Sequence, residues 1–586
     1  TMAVNLTLSG SQSFVNGSSS SLTIANGITA TGGTLSLDGS GTGLSTISGT
    51  INSGTINKVG QGTWLLSGTN SYAGATNINQ GVLRIANATA LGGTAAATNV
   101  NATGAALQLA GGISIAEPLS LSGTGINSGG ALEAFSGVDT VTGTITLAAA
   151  AMIGADAGAT LNIAGSLAGS NALTFNGAGI INLTGTLYGA VPTSLTKLGS
   201  GQLNVLSSNT LYTGALSVNA GSVLFSNAGS LGITGAITIQ PGAFLGLDDS
   251  SVNASNRLGA GTRALSLAGG LGVTGSANAV SSESLAALTL ASGNSVITLV
   301  TSGTGQTNLT VASLANPPTG ASLLLRGTNL GAGTLAAGTA TFQSTAAVSF
   351  LGASSGSSNT TTKGILPWAI VDTSAIGVGT SFATVDSAAG YSGTAGAGIR
   401  GLASTEYSTL LTAANNVVLS SGTFVTSAVT VNSLNLTSGG SVSVAPLVTM
   451  TISSGGLLLQ QGNSGISGGV LSSGTSSLWL FTPTTTTSLQ TITSVIAGAL
   501  TGGITKAGAG TLELGATTTG AYSGFSANSF TGTVTVNEGT LRMAANNALG
   551  ISTTLPNIVL NAGGVVGTGG AVDLNGKILL EIGRAS

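Results

Sequence analysis

Of 586 residues only 5% are charged, 95 are Gly, and none is Cys or His, which excludes disulfides, thiolate or imidazole metal sites, and Ser-His-Asp or Cys-His nucleophilic systems. Twelve Lys plus Arg against 15 Asp plus Glu leave a net charge of −3 and no basic stripe for a phosphate backbone to follow, so no nucleic-acid partner is expected. Val, Ile, Leu and Thr run along the whole length, which separates the chain from a Gly/Ser linker.

The chain opens with the strand-like "VNLTLSG" at Val4 and has no basic n-region. Any export signal is therefore expected to have been removed or to lie outside this sequence. The longest apolar run, around residues 147–155, is broken by Asp156 and is too short for a membrane span. Further along, "TITLAAA" at Thr144, "TLNIAG" at Thr160 and "ALTFNG" at Ala172 repeat one unit, in which three to five alternating residues end in a Gly, Asn or Ser turn. The one helical candidate is short, "TEYSTLLTAA" at 405–414.

Beyond it, apolar centres fall near Leu434, Val442, Met450, Leu458 and Ile466, about eight residues apart, the beat of an all-β fold. A β-sandwich finishes in about 100 residues, whereas this beat continues, and nine prolines leave little room for linkers. Three steps of eight make a coil of about 24 residues, a solenoid period. The expectation is an all-β, right-handed parallel β-helix (β-solenoid), an elongated rod of roughly 24 coils and about 115 Å at the strand spacing. It is expected as one continuous solenoid over 1–586, with a possible irregular insertion near 360–415. Small residues would turn the corners, and aliphatic side chains would fill the core.

Three stretches share fixed offsets. "KVGQGTWLLSGTNSYAGATNINQGVLRIANATALG" covers 58–92, and related copies lie near 197–232 and 506–550. Each begins with a lysine (Lys58, Lys197, Lys506) followed by a glycine pair: Gly60 and Gly62, Gly199 and Gly201, Gly508 and Gly510. Then come Tyr72, Tyr212 or Phe530 and a Gly two residues on (Gly74, Gly214, Gly532). Asn79, Asn219 and Asn537 follow, each with a second Gly (Gly81, Gly221, Gly539). The third copy carries an insertion of about ten residues after its head, and variable length belongs in a loop.

This pattern, K-x-G-x-G-T-L/W, then Y/F-x-G, V/I-N-x-G and N-A-x-x-L-G, resembles the passenger-associated transport repeat, also called the autotransporter-associated β-strand repeat. "GILPWAIVD" at Gly364 and the Thr/Ser-rich run after it are also similar to large surface proteins of that group. The resemblance implies a right-handed parallel β-helix exported by a bacterium to the cell surface or beyond, and a structural repeat without chemistry. The ending "GKILLEIGRAS" lacks the aromatic girdles of a membrane barrel. A barrel would have been cleaved or lie outside this sequence, or export takes another route.

Candidates for chemistry are sparse. Asp248 and Asp249 are adjacent carboxylates with Arg257 as the nearest base, but strand neighbours point to opposite faces, so they are expected on a solvated turn. "GLGVTG" at Gly270 matches G-x-G-x-x-G but lacks the helix a dinucleotide site needs. "GGAVD" at 569–573 is an imperfect calcium-repeat match and is expected to be a turn. Tyr72, Tyr212, Trp64, Trp368 and Trp479 would make a sugar platform only if exposed; packing at coil corners is the simpler expectation. The three lysines are expected to be solvated, and no cofactor is expected.

Neither end carries a cap, which is expected either of a self-assembling extracellular filament with head-to-tail strand contacts between copies or of a piece of a longer passenger whose caps lie outside this sequence. A passenger adhesin binding surface glycans or a host protein is the second reading. A carbohydrate-active enzyme is the third, and it rests on fold analogy alone.

Overall fold

The computed structural model describes residues 1–575 apart from 190, 233, 292, 332–336, 353–355, 387–396, 462–463, 485–488, 499, 516–527, 546–547, 551–556 and 562–568. It is all-β, a parallel β-solenoid of about 22 turns. Two compact units emerge, Thr1–Thr238 with Leu245–Arg263, and Ile239–Phe244 with the described chain from Ala264 on.

In the first unit the alternation seen in the sequence becomes burial. Thr160–Ile163, Ile180–Leu183, Gln202–Val205 and Ser222–Phe225 stack in parallel register. Leu161, Ile181, Leu203 and Val223 form one inward column, and Ile163, Leu183, Val205 and Phe225 form the next. Each buried aliphatic side chain contributes roughly 1.5–3 kcal/mol, so a narrow core with few aromatics suffices. Outward positions stack too. Asn77 Nδ2 donates to Asn57 Oδ1 at 3.0 Å from 20 residues away, and Asn99 Nδ2 to Asn77 Oδ1 at 2.9 Å from 22. A second ladder joins Asn204, Asn182 and Asn162 at 2.7 and 2.8 Å. Those separations are the coil length.

The second unit starts the same way and then reverses. Gln306–Leu314 pairs in parallel with Thr339–Ser344, and Ala321–Gly327 with Leu366–Asp372. Three antiparallel pairings follow: Ser381–Asp386 lies against both Leu366–Asp372 and Ala397–Gly401, and Ala397–Gly401 against Thr339–Ser344. From Asn416–Leu419 onward a separate parallel sheet builds. It runs back along the first: Thr380 O accepts from Gln460 Nε2, Ala321 O from Trp479 Nε1, and Glu538 Oε2 from Asn294 Nδ2. Strands between the two sheets are covered on both faces, which is why Leu366–Asp372, Ser477–Phe481 and Gly503–Ala507 are buried at every position. Phe382 and Phe481 meet there edge to face, with ring centroids 6.3 Å apart.

Two local expectations are corrected. The helical candidate at 405–414 is only a 3₁₀ turn at Ser404–Glu406, because Glu406 is drawn into an ion cluster. The expected turn at 569–573 contains a strand, Gly570–Asp573, in register with Gly539, Thr540, Leu541 and Arg542; its glycines stack on a preceding coil. "GLGVTG" forms the strand Gly270–Thr274. The insertion of the third repeat copy and the ending at 576–586 fall outside the described residues, wholly or in large part.

Candidate functional site

The repeated motif is a corner built around a buried cation. Lys58 ends the strand Ile51–Lys58 pointing inward, and its exposure is 0%, with Lys197 at 1% and Lys506 at 0%. This overturns the expectation that these lysines are solvated. Alternation turns the side chain into the core just where a small-residue turn follows, and the carbonyls of that turn face it. Lys58 Nζ donates to Gly60 O and Gln80 O, and Lys197 Nζ to Leu198 O and Gly199 O. Lys506 Nζ donates to Gly508 O, Gly510 O and Glu538 O. Burial pushes the ammonium groups down, to about 8 at Lys58 and Lys197 and about 7 at Lys506.

The rest of the motif closes the corner. In all three copies the Asn backbone N–H donates to the carbonyl of the lysine, at 2.8 Å (Asn79), 2.9 Å (Asn219) and 2.8 Å (Asn537). Gly81, Gly221 and Gly539 have φ of +70°, +65° and +70°, a region that favours glycine. At Gly74 a Cβ would lie 1.6 Å from Gly54 O, at Gly214 2.4 Å from Thr193 O, and at Gly532 2.2 Å from Gly503 N, so successive coils touch backbone to backbone. Tyr72, Tyr212 and Phe530 are buried behind these glycines. Tyr72 hydrogen-bonds Thr76 Oγ1 at 2.6 Å, and Tyr212 donates to Ala215 O. The lysine and the aromatic at the centre of each corner are buried, while Asn79 and Asn219 face outward.

Elsewhere the candidates are taken up by structure. Asp249 is 4% exposed and pairs with Arg257 Nε at 2.6 Å, which corrects the expected solvated turn. Five donor contacts on one guanidinium require it, since Arg257 also donates to Asn227 O, Gly229 O, Asp248 O and Val252 O. Trp64, Trp368 and Trp479 are all buried and offer no platform. Among the described residues no three His, Cys, Asp or Glu side chains gather to hold a metal.

Two clusters escaped the sequence reading. Arg84, Gln108 and Glu133 stack one coil apart, with Arg84 Nη2 on Gln108 Oε1 at 2.7 Å and Gln108 Nε2 on Glu133 Oε2 at 2.6 Å. Burial pushes the Glu133 carboxyl up to about 7. The signal was available, since polar residues one coil length apart share a column. The second cluster lies at the chain reversal. Arg400 Nε meets Asp386 Oδ2 at 2.6 Å, its Nη1 meets Glu406 Oε2 at 2.7 Å, and Lys363 Nζ lies 3.1 Å from Asp386. Burial works against the Asp386 carboxylate, but hydrogen bonds from Arg400, Ser358 and Lys363 hold it down at about 2. This cluster forms part of the wall of a cavity of about 680 Å³. No spacing rule joins Lys363, Asp386, Arg400 and Glu406, because antiparallel turns bring them together.

Against known families, the passenger-associated-transport-repeat model matches at residues 56–85, 195–224 and 504–543, the three lysine-headed corners. No curated protein and no solved structure matches the chain. Among the described residues no helix is long and apolar enough to cross a membrane.

Proposed function

We propose that this chain is a structural protein of the autotransporter-passenger kind, exported to a bacterial surface, which serves as a scaffold and catalyses no reaction. The observation that carries the reading is where the polar groups go. Outward amides bond from coil to coil, the repeat lysines bond turn carbonyls, and the three matched repeats are corners of that scaffold. Export is tested by proteinase treatment of intact cells of the source bacterium followed by immunoblotting. Cleavage at the surface is expected, and full protection with a cytoplasmic signal refutes it.

The finer reading is a filament of copies joined head to tail. Met2, Val4 and Val15 are exposed at 37%, 58% and 62%, while Leu6–Thr7 and Gln12–Val15 pair with Ile28–Asp38. Exposed apolar side chains beside short strands, Val15 at the end of one of them, favour pairing with a further strand, and a heterologous contact repeats into an open fibre. Negative-stain microscopy of the purified chain is expected to show fibres that the V4K/V15K double variant abolishes. A monodisperse monomer, or fibres unchanged in the variant, overturns the filament.

A further inference from the structure

The chain carries 12 basic and 15 acidic side chains in 586 residues, and four of them converge on the chain reversal: Lys363, Asp386, Arg400 and Glu406. Holding the turn accounts for Glu406, which is fully buried and accepts from the backbone N–H groups of Asn359 and Ala403 as well as from Arg400. Asp386 and Arg400, which complete that ion cluster, also line an open cavity of about 680 Å³. That volume lies within the ~300–1,000 Å³ of small-molecule sites.

We propose that this cavity binds a neutral saccharide through vicinal hydroxyls. Charge balance excludes an anion as the favoured ligand. Arg400 is matched by Asp386 and Glu406, and Lys363 by Asp386, so no cation is left for a free carboxylate or phosphate. The cavity instead presents planar and hydroxyl groups suited to a diol. Asp386 accepts from Ser358, Lys363 and Arg400, three contacts on a carboxylate with about four acceptor sites. Asn329 and Thr373, both exposed, bring an amide and a hydroxyl to the same wall, whereas the Ser381 hydroxyl is taken up by Leu402 O and Tyr407 and Leu330, Val371 and Leu402 lie buried behind it. This assignment goes beyond the scaffold reading and holds whether or not copies assemble.

The test is saturation-transfer difference NMR on the full chain with the methyl glycosides of glucose, galactose and mannose, each at about 10 mM, the range for a millimolar site. Methyl glucuronide serves as the anionic comparator. At least one neutral glycoside is expected to receive saturation and the glucuronide less. Thr373 is exposed and its side chain lies outside the ion cluster, so T373W is expected to block the cavity and abolish transfer with the unfolding temperature unchanged. D386N, which removes a charged acceptor, is expected to weaken binding by about 10-fold or more. Silence from all three neutral glycosides, stronger transfer to the glucuronide, or transfer unaffected by T373W overturns the proposal.

Discussion

Asn537 Nδ2 donates to Ser322 Oγ at 2.9 Å across 215 residues of sequence, and to Gly320 O at 2.9 Å. The same repeat position is exposed at Asn79 and Asn219. One motif therefore serves two surroundings, and the difference is measurable. N537A leaves Gly320 O and Ser322 Oγ without this donor inside a buried contact and is expected to lower unfolding free energy by about 1–3 kcal/mol. N219A is expected to stay within about 0.5 kcal/mol. Equal costs in urea unfolding would show that the buried contact contributes nothing.

The buried lysines set a pH dependence of a definite sign. The folded chain releases these protons near 7 at Lys506 and near 8 at Lys58 and Lys197, while the unfolded chain holds them to about 10.5. Between those values the unfolded state binds more protons, so stability rises as pH goes from about 7 to about 10. The urea midpoint is expected to increase over that range, and K506M to flatten part of the increase. A midpoint that falls over the same range contradicts the burial of these groups.

Backbone contact between coils predicts sharp intolerance at one glycine and tolerance at another. A Cβ at Gly74 would lie 1.6 Å from Gly54 O, whereas at Gly93 the nearest atom is 3.6 Å away. G74A is expected to cost about 3 kcal/mol or more through forced separation of the coils, and G93A about 0.5 kcal/mol or less. Thermal unfolding of the two variants side by side decides it.

The ion cluster at the reversal responds to acid. Asp386 has a folded pKa of about 2 against about 3.9 in an unfolded chain. Its contribution is complete above about 3.9 and is lost as pH falls through 2. The amides of Asn359 and Ala403 are held by Glu406, where burial works against the carboxylate but Arg400 keeps it below its ordinary range. Their exchange, followed from pH 5 to pH 2 after correction for intrinsic rates, is expected to lose protection as the cluster takes up protons. R400M strands Glu406, which is fully buried, and is expected to cost about 3–5 kcal/mol at neutral pH.

The sequence by itself determined what is local or periodic. Alternation placed Leu161, Ile163 and their stacked partners in the core, and a spacing of 20 to 25 residues between column partners matches the period read from the apolar beat. Glycine at Gly81, Gly221 and Gly539 was legible because a left-handed corner asks for it. Lys58 was misread because composition places lysine in water, whereas the turn carbonyls that hold it are visible only once the coil closes. Likewise only the tertiary structure decided that the second sheet returns along the first, that Asn537 is covered while Asn219 is not, and that Asp386, Arg400 and Glu406 meet. The physical reason is range. Strand, turn and coil length follow from neighbours within one period, but the partner of an outer face is chosen by where the chain reverses.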